Sequence, residues 1–204
     1  MNNLIKPAFQ IGMTAMKVVV EIVRINPKIS NLGFCRYVPH YNVKESWEKP
    51  LLPLSLLHDP TIETIKLKRE EATTENLKRI VDSLEEDTVI GVISRVRVEN
   101  EIRHIPLMDF SCRCSDTSLK KIRYFLKKTE QKRGVILSSG RSYHYYGANL
   151  MNGEEWVNFL GDCGPSGLAD ERYLFHRFKD QCGILRLSSC PLRSTIPTVI
   201  SILE

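Results

Sequence analysis

The strand-like runs of this sequence come in neighbouring pairs, and that ordering limits the folds open to it more than any other feature. Thr88 to Val98 and Glu101 to Phe110 are apolar and β-branched, and only the polar Glu99-Asn100 separates them, which predicts a β-hairpin. A second hairpin is predicted over Val135 to Tyr146, with Ser139-Gly140-Arg141 at a turn where glycine tolerates positive φ. Locally paired strands build antiparallel or mixed sheets, whereas a doubly wound parallel sheet needs a long crossover after each strand. The expected class is therefore α+β, an antiparallel or mixed sheet made of hairpins with helices packed on it.

Between and around the hairpins the periodicity turns helical. Leu77, Ile80, Val81 and Leu84 behind Thr73/Thr74 predict a helix running to Glu86. Ser115 or Asp116 caps a second, whose buried stripe is Leu119, Ile122, Phe125 and Leu126, and Arg133-Gly134 ends it. Asn152 caps a short helix carrying Trp156, Phe159 and Leu160, followed by a loop over Gly161 to Gly167 and a helix over Asp170 to Phe178. Gly183 to Ser188 and Pro197 to Leu203 read as a terminal strand pair. In the N-terminal third, residues 17 to 25 (KVVVEIVRI) are β-branched and read as a strand. Asn31 to Pro60, with prolines at 39, 50, 53 and 60, reads as an irregular wrap. Residues 1–87 are thus expected to be an extension packed on a core of residues 88–204, the two forming one compact domain.

Composition narrows the partners only a little. The 29 Lys+Arg against 24 Asp+Glu leave +5, which permits a polyanion and demands none. Lys17, Glu21 and Arg24 interrupt the apolar run at Val18-Val19-Val20, far short of the roughly 20 residues of a span, so no membrane span is expected. Six irregularly spaced cysteines with no secretory leader point to reduced, buried thiols in the cytoplasm. Cys112-x-Cys114 lacks the usual two-residue gap of a zinc site, and no zinc is expected.

Strand alternation provides a geometric test for a site, because residues at i and i+2 share a sheet face. It groups Leu107, Asp109 and Ser111, then Ser142, His144 and Tyr146, then Ile184, Arg186 and Ser188. Three strands thus each offer one ionisable group, Asp109, His144 and Arg186. An acid for a divalent cation, a hydrogen-bonding base and an arginine for phosphate is the inventory of phosphoryl or nucleotidyl transfer.

The runs IPLMDFS (105–111), GVILSSGRSYHYYG (134–147) and GILRLSS (183–189) are similar, in order and spacing, to the three-part signature of archaeo-eukaryotic-type primases and primase-polymerases. The single acid in the first run resembles the primase 1D-like variant. The likeness covers Gly91 to Leu203 and implies a primase catalytic core with RRM-like elements. It implies that Asp109 binds Mg²⁺ or Mn²⁺, and that Ser139, Gly140, Arg141 and His144 contact a nucleotide triphosphate. Arg186 would be a further phosphate or nucleic-acid contact, and Asp170, with Asp180 as the other candidate, the third acid. Asp109, His144 and Asp170 would then be the catalytic set, acting on nucleotides or single-stranded nucleic acid.

One departure bears on activity. The family carries Asp-x-Asp where this chain has Asp109 followed by Ser111, and a neutral hydroxyl compensates little cation charge. That leaves a one-metal site, a site completed by Asp116 or Asp170, or a pocket that binds without reacting. Two function classes therefore stand side by side: a primase-like nucleotidyltransferase, and a catalytically degenerate module that binds nucleotide or nucleic acid for a partner protein. The N-terminal third could supply a protein-partner surface. The lysine-rich helix around Lys120, Lys121, Lys127 and Lys128 could meet phosphates or simply stay solvated. Tyr143, Tyr145 and Tyr146 are expected to pack rather than stack on bases.

Overall fold

The computed structural model describes residues 8–39 and 61–204. The irregular wrap expected at 31–60 lies outside them over 40–60. Its first part is instead strand β1 (Ile29–Tyr37), which pairs antiparallel with β2 (Thr61–Lys68). Alternating burial of Leu32 and Phe34 on one face accounts for that strand better than the prolines downstream predicted.

The second correction concerns residues 17–25, which form helix α1 (Ala15–Ile25) and not a strand. Ala15, Val18, Val19, Ile22 and Val23 are all buried, at the i, i+3, i+4, i+7, i+8 spacing of one helix face. Burying a Val or Ile side chain contributes about 1.5–3 kcal/mol, against a propensity penalty of at most about 0.7 kcal/mol per residue. Tertiary burial overrides the β-branched preference.

Helix α2 (Thr74–Asp82) begins where predicted, with Thr73 Oγ1 accepting from the Asn76 N–H at 3.1 Å. Strands β3 (Val89–Val98) and β4 (Glu101–His104) form the first hairpin, with Glu99 taking φ 53° at the turn. The predicted second strand, however, does not run on to Phe110. Pro106 has no N–H for the ladder, and the chain crosses there into another sheet as β5 (Leu107–Phe110).

Helix α3 (Asp116–Lys128) is capped by Ser115, whose Oγ accepts from the Ser118 N–H at 3.1 Å, with Lys127 and Lys128 at its negative end. Strands β6 (Gly134–Ser138) and β7 (Tyr143–Gly147) make the second hairpin as expected. Helix α4 (Gly153–Ser166) starts with a reciprocal cap between Asn152 and Glu155. It continues through the predicted loop to Gly167, which takes φ 63° as its terminator. Burial of Leu160 and Cys163 holds that extra turn. Helix α5 (Glu171–Asp180) is capped by Asp170, and β8 (Ile184–Arg186) and β9 (Thr198–Leu203) follow.

The two terminal strands do not pair with each other. β8 joins β3 in the first sheet, ordered β2-β1-β3 with β4 beside the rest of β3, while β9 closes the second sheet, ordered β5-β7-β6-β9. All these pairings are antiparallel, so the molecule is α+β with two sheets and five α-helices among the described residues. One face of the second sheet (Met108, Phe110, Ile136, Tyr143, Tyr145) packs on α3 and α4. The opposite face (Leu107, Val135, Leu137, Tyr146, Val199) shares a core with α1 and the first sheet. β1 sits between β2 and β3, so chain from either side of residue 87 builds one sheet. No helix among the described residues is long and apolar enough to cross a membrane.

Candidate functional site

Asp109 and His144 are directly opposite each other in the β5–β7 ladder, so their side chains leave the same face of the second sheet. His144 Nε2 stands 3.7 Å from Asp109 Oδ1, just beyond hydrogen-bond distance. The histidine is 6% exposed and the carboxylate 40%, so the pair forms a step from core to solvent. Burial pushes the His144 imidazole down to about 4, with Asp109 opposing and Arg186 and Arg193 assisting, and the ring is neutral at pH 7. Its Nδ1 is buried with no hydrogen-bond partner among the described residues. Ser142, two residues before His144 and thus on its face, donates to Asp109 Oδ1 at 3.4 Å.

The Ser139-Gly140-Arg141 turn sits above this pair. Ser139 N–H donates to the Ser142 carbonyl at 3.0 Å, and its hydroxyl bonds Ser142 at 3.1 Å. Gly140 has φ +101° and lies so close to Thr195 that a Cβ would meet Oγ1 at 2.7 Å. Only glycine satisfies both the dihedral and the contact. Arg141 is exposed at the tip.

Arg186 reaches the same turn from the first sheet, in a different manner from the phosphate contact anticipated. Its Nη1 donates to the carbonyls of Ser188 (2.5 Å), Thr195 (2.7 Å) and Arg193 (3.5 Å), and its Nη2 to that of Ser139 (3.2 Å). The guanidinium thus ties the 188–195 segment and the turn to β8 and is 6% exposed. Burial lowers its affinity for the proton. The carbonyls that meet it give it a positioning role in this geometry.

The chain before α5 runs beside β5 on the edge opposite β7. Phe110 and Ala169 form an antiparallel bridge and the Ser111 N–H donates to Leu168 O at 2.9 Å, so the register puts Asp170 across from Asp109. Asp170 also caps α5, accepting from the Tyr173 N–H at 3.1 Å. Ser111 Oγ is directed to Leu168 O at 3.5 Å, which spends the residue on holding this bridge. Asp116 is exposed in the first turn of α3. Asp180, at the far end of α5, pairs with Arg177 at 3.5 Å.

Among the described residues no three His, Cys, Asp or Glu side chains are grouped to hold a metal ion. Asp109, Asp170 and Asp116 are accordingly not a closed cage. A small hard cation that keeps waters and takes phosphate oxygens needs only one or two carboxylates from the protein, and an open Asp109 with Asp170 across from it meets that lesser demand.

Three further neighbours, of which only Tyr173 left no mark on the sequence reading, complete the surroundings of the pair. Cys114 Sγ donates to the Ser142 carbonyl at 3.4 Å, bringing the segment before α3 against the turn. The Tyr143 hydroxyl accepts from Ser115 N at 2.8 Å and donates to Ser115 O at 3.0 Å, fixing that approach. Tyr173 is half-buried with its hydroxyl enclosed, within the field of Arg177 and Asp109, and burial raises its phenol. Its spacing of three from Asp170 was the available signal. All six cysteines are free thiols, but against the expectation of burial Cys114 is exposed and Cys112 only partly buried, since both lie in the loop before α3; the three tyrosines of β7 are buried with hydroxyls bonded to the main chain.

No curated protein and no solved structure matches this chain. The family model for the archaeo-eukaryotic primase 1D-like proteins matches residues 68–195, more than half of the 204-residue sequence and the stretch that contains Asp109, the 139–141 turn, His144 and Arg186. The chain belongs to the archaeo-eukaryotic primase 1D-like family.

Proposed function

We propose that this protein is a primase-type nucleotidyltransferase, or a nucleotide-processing enzyme derived from one, acting at Asp109 and His144. The observation that carries the reading is the cross-strand pairing of a half-open carboxylate with a buried, neutral histidine, beneath a turn that presents Arg141. Mg²⁺ or Mn²⁺ would be held by Asp109 with Asp170 and by the substrate's own phosphates, and would neutralise phosphate charge as it builds up in transfer. Arg141, at the exposed tip of a turn whose Ser139 and Gly140 amides already donate within it, would hold the phosphates. His144 would hydrogen-bond the substrate as a neutral ring, and Arg186 would keep the turn in place.

A second reading, a binding module without turnover, is favoured by Ser111. It stands where the family's second acid is expected, and its N–H and hydroxyl are both directed to Leu168 O. Incubation of the purified protein with labelled nucleotides, single-stranded template and Mg²⁺ or Mn²⁺ separates the two. Metal-dependent turnover that disappears in Asp109→Ala supports the first. Turnover unaffected by Asp109→Ala removes it, salt-sensitive binding without turnover supports the second, and no binding at all removes both.

A further inference from the structure

We infer that the face of α3 carrying Lys120, Lys121, Tyr124 and Lys128 is a track for single-stranded nucleic acid that ends beside the 168–170 segment at the edge of the second sheet. The structure divides the basic residues of this helix. Arg123 is drawn back onto β9, where Nη1 bonds Ser201 Oγ and the Ile202 carbonyl. Lys120, Lys121 and Lys128 remain exposed and enter no ion pair among the described residues. They surround Tyr124, which is 65% exposed, far more than any tyrosine of β7, and Lys128 Nζ lies 5.5 Å from its ring centroid.

Positions 120, 124 and 128 fall at i, i+4 and i+8 with 121 beside them, so the aromatic ring sits within one cationic stripe about 12 Å long. The stripe forms one wall of a surface groove of about 540 Å³ whose other wall includes Ser166 and Leu168. Leu168 is the residue whose carbonyl accepts from Ser111, next to Ala169 on Phe110 and Asp170 across from Asp109. The groove therefore lies on the α3 side of the second sheet, across from the face that carries Asp109, and ends at the edge segment that continues to Asp170.

An exposed ring among unpaired lysines suits a polyanion that carries unstacked bases. Lysines meet phosphates and the tyrosine stacks a base, a mode tolerant of sequence and available only to single strands. A duplex would use the lysines alone. The inference deepens the reading above and rests on it only for what the strand is delivered to.

The test is fluorescence anisotropy with a labelled oligothymidine, without divalent metal, across a salt series. Tyr124→Ala is expected to weaken binding roughly tenfold while Tyr124→Phe retains it, since stacking needs the ring and not the hydroxyl. Lys120→Ala/Lys121→Ala is expected to make the log–log salt slope shallower by about 1.4, with no such change in the charge-matched Lys66→Ala/Lys78→Ala. Tyr124→Leu, which keeps apolar bulk on the exposed face, should behave like the alanine variant. Wild-type affinity in both Tyr124→Ala and Tyr124→Leu, an equal slope change in the two lysine pairs, or no oligonucleotide binding by the wild type at low salt overturns the track. Metal-dependent mononucleotide binding and its loss in Asp109→Asn report on the active-site reading alone, so either can fail while the other stands.

Discussion

Two histidines, one in each sheet, share nearly the same buried state and differ in their partners. His104 ends β4 in the first sheet and His144 lies in β7 of the second; burial pushes both imidazoles down to about 4. His104 is fully accommodated: its Nδ1 meets Ser94 Oγ at 3.2 Å and its ring stacks on Trp156 at 4.6 Å. His144 has a carboxylate 3.7 Å away and an Nδ1 with no partner among the described residues. A depressed pKa therefore does not mark a site by itself. Unspent hydrogen-bonding capacity beside an open acid does, because such an arrangement costs stability in the absence of a ligand.

The sharpest test of that contrast is Asp109→Asn, which removes the charge from one side of the pair and keeps its size. Metal-dependent nucleotide turnover or binding is expected to fall by about a hundredfold or more, with the urea midpoint unchanged, because Asp109 is half exposed. A next test replaces each histidine by leucine. His104→Leu should cost about 1–3 kcal/mol in urea unfolding at pH 7, through the lost Ser94 bond and ring stack. His144→Leu should lie within about 1 kcal/mol of wild type while nucleotide binding is lost. Equal costs would collapse the distinction between them.

Gly140→Ala probes the turn above His144. The added methyl meets Thr195 and the backbone holds φ +101°, so a loss of about 1–2 kcal/mol is expected, with weaker nucleotide binding as the turn shifts. The smallest effect per unit of change is that of pH. Both folded histidines are neutral well below the usual 6.5, so the unfolded chain takes up more protons as pH falls from 6.5 towards about 4. Stability is fully present above pH 6.5 and declines below it, by roughly 1 kcal/mol per unit for each histidine. In the leucine variants the decline between pH 6.5 and 4.5 should be shallower by one histidine's share, read from urea midpoints.

Sequence by itself determined the local pieces of this protein. The β6–β7 hairpin with its Ser-Gly-Arg turn, the Ser115-capped helix and the Asn152 cap all follow from periodicity and capping chemistry that act over a few residues. So does the pairing of Asp109 with Ser111, and of His144 with Ser142, on common strand faces. Only the tertiary structure decided how those pieces meet. Residues 15–25 became a helix because five apolar side chains found a core, which a propensity for strands could not foresee. Pro106 diverted the predicted second strand into another sheet and so set Asp109 opposite His144. Arg186, legible as a cation on the right strand, spends its donors on the carbonyls of Ser188 and Thr195 and of the distant Ser139, and the Phe110–Ala169 bridge brings Asp170 across from Asp109. Contacts between residues far apart in sequence leave no periodic trace in it, so partners, burial and charge state are fixed only once the sheets pack.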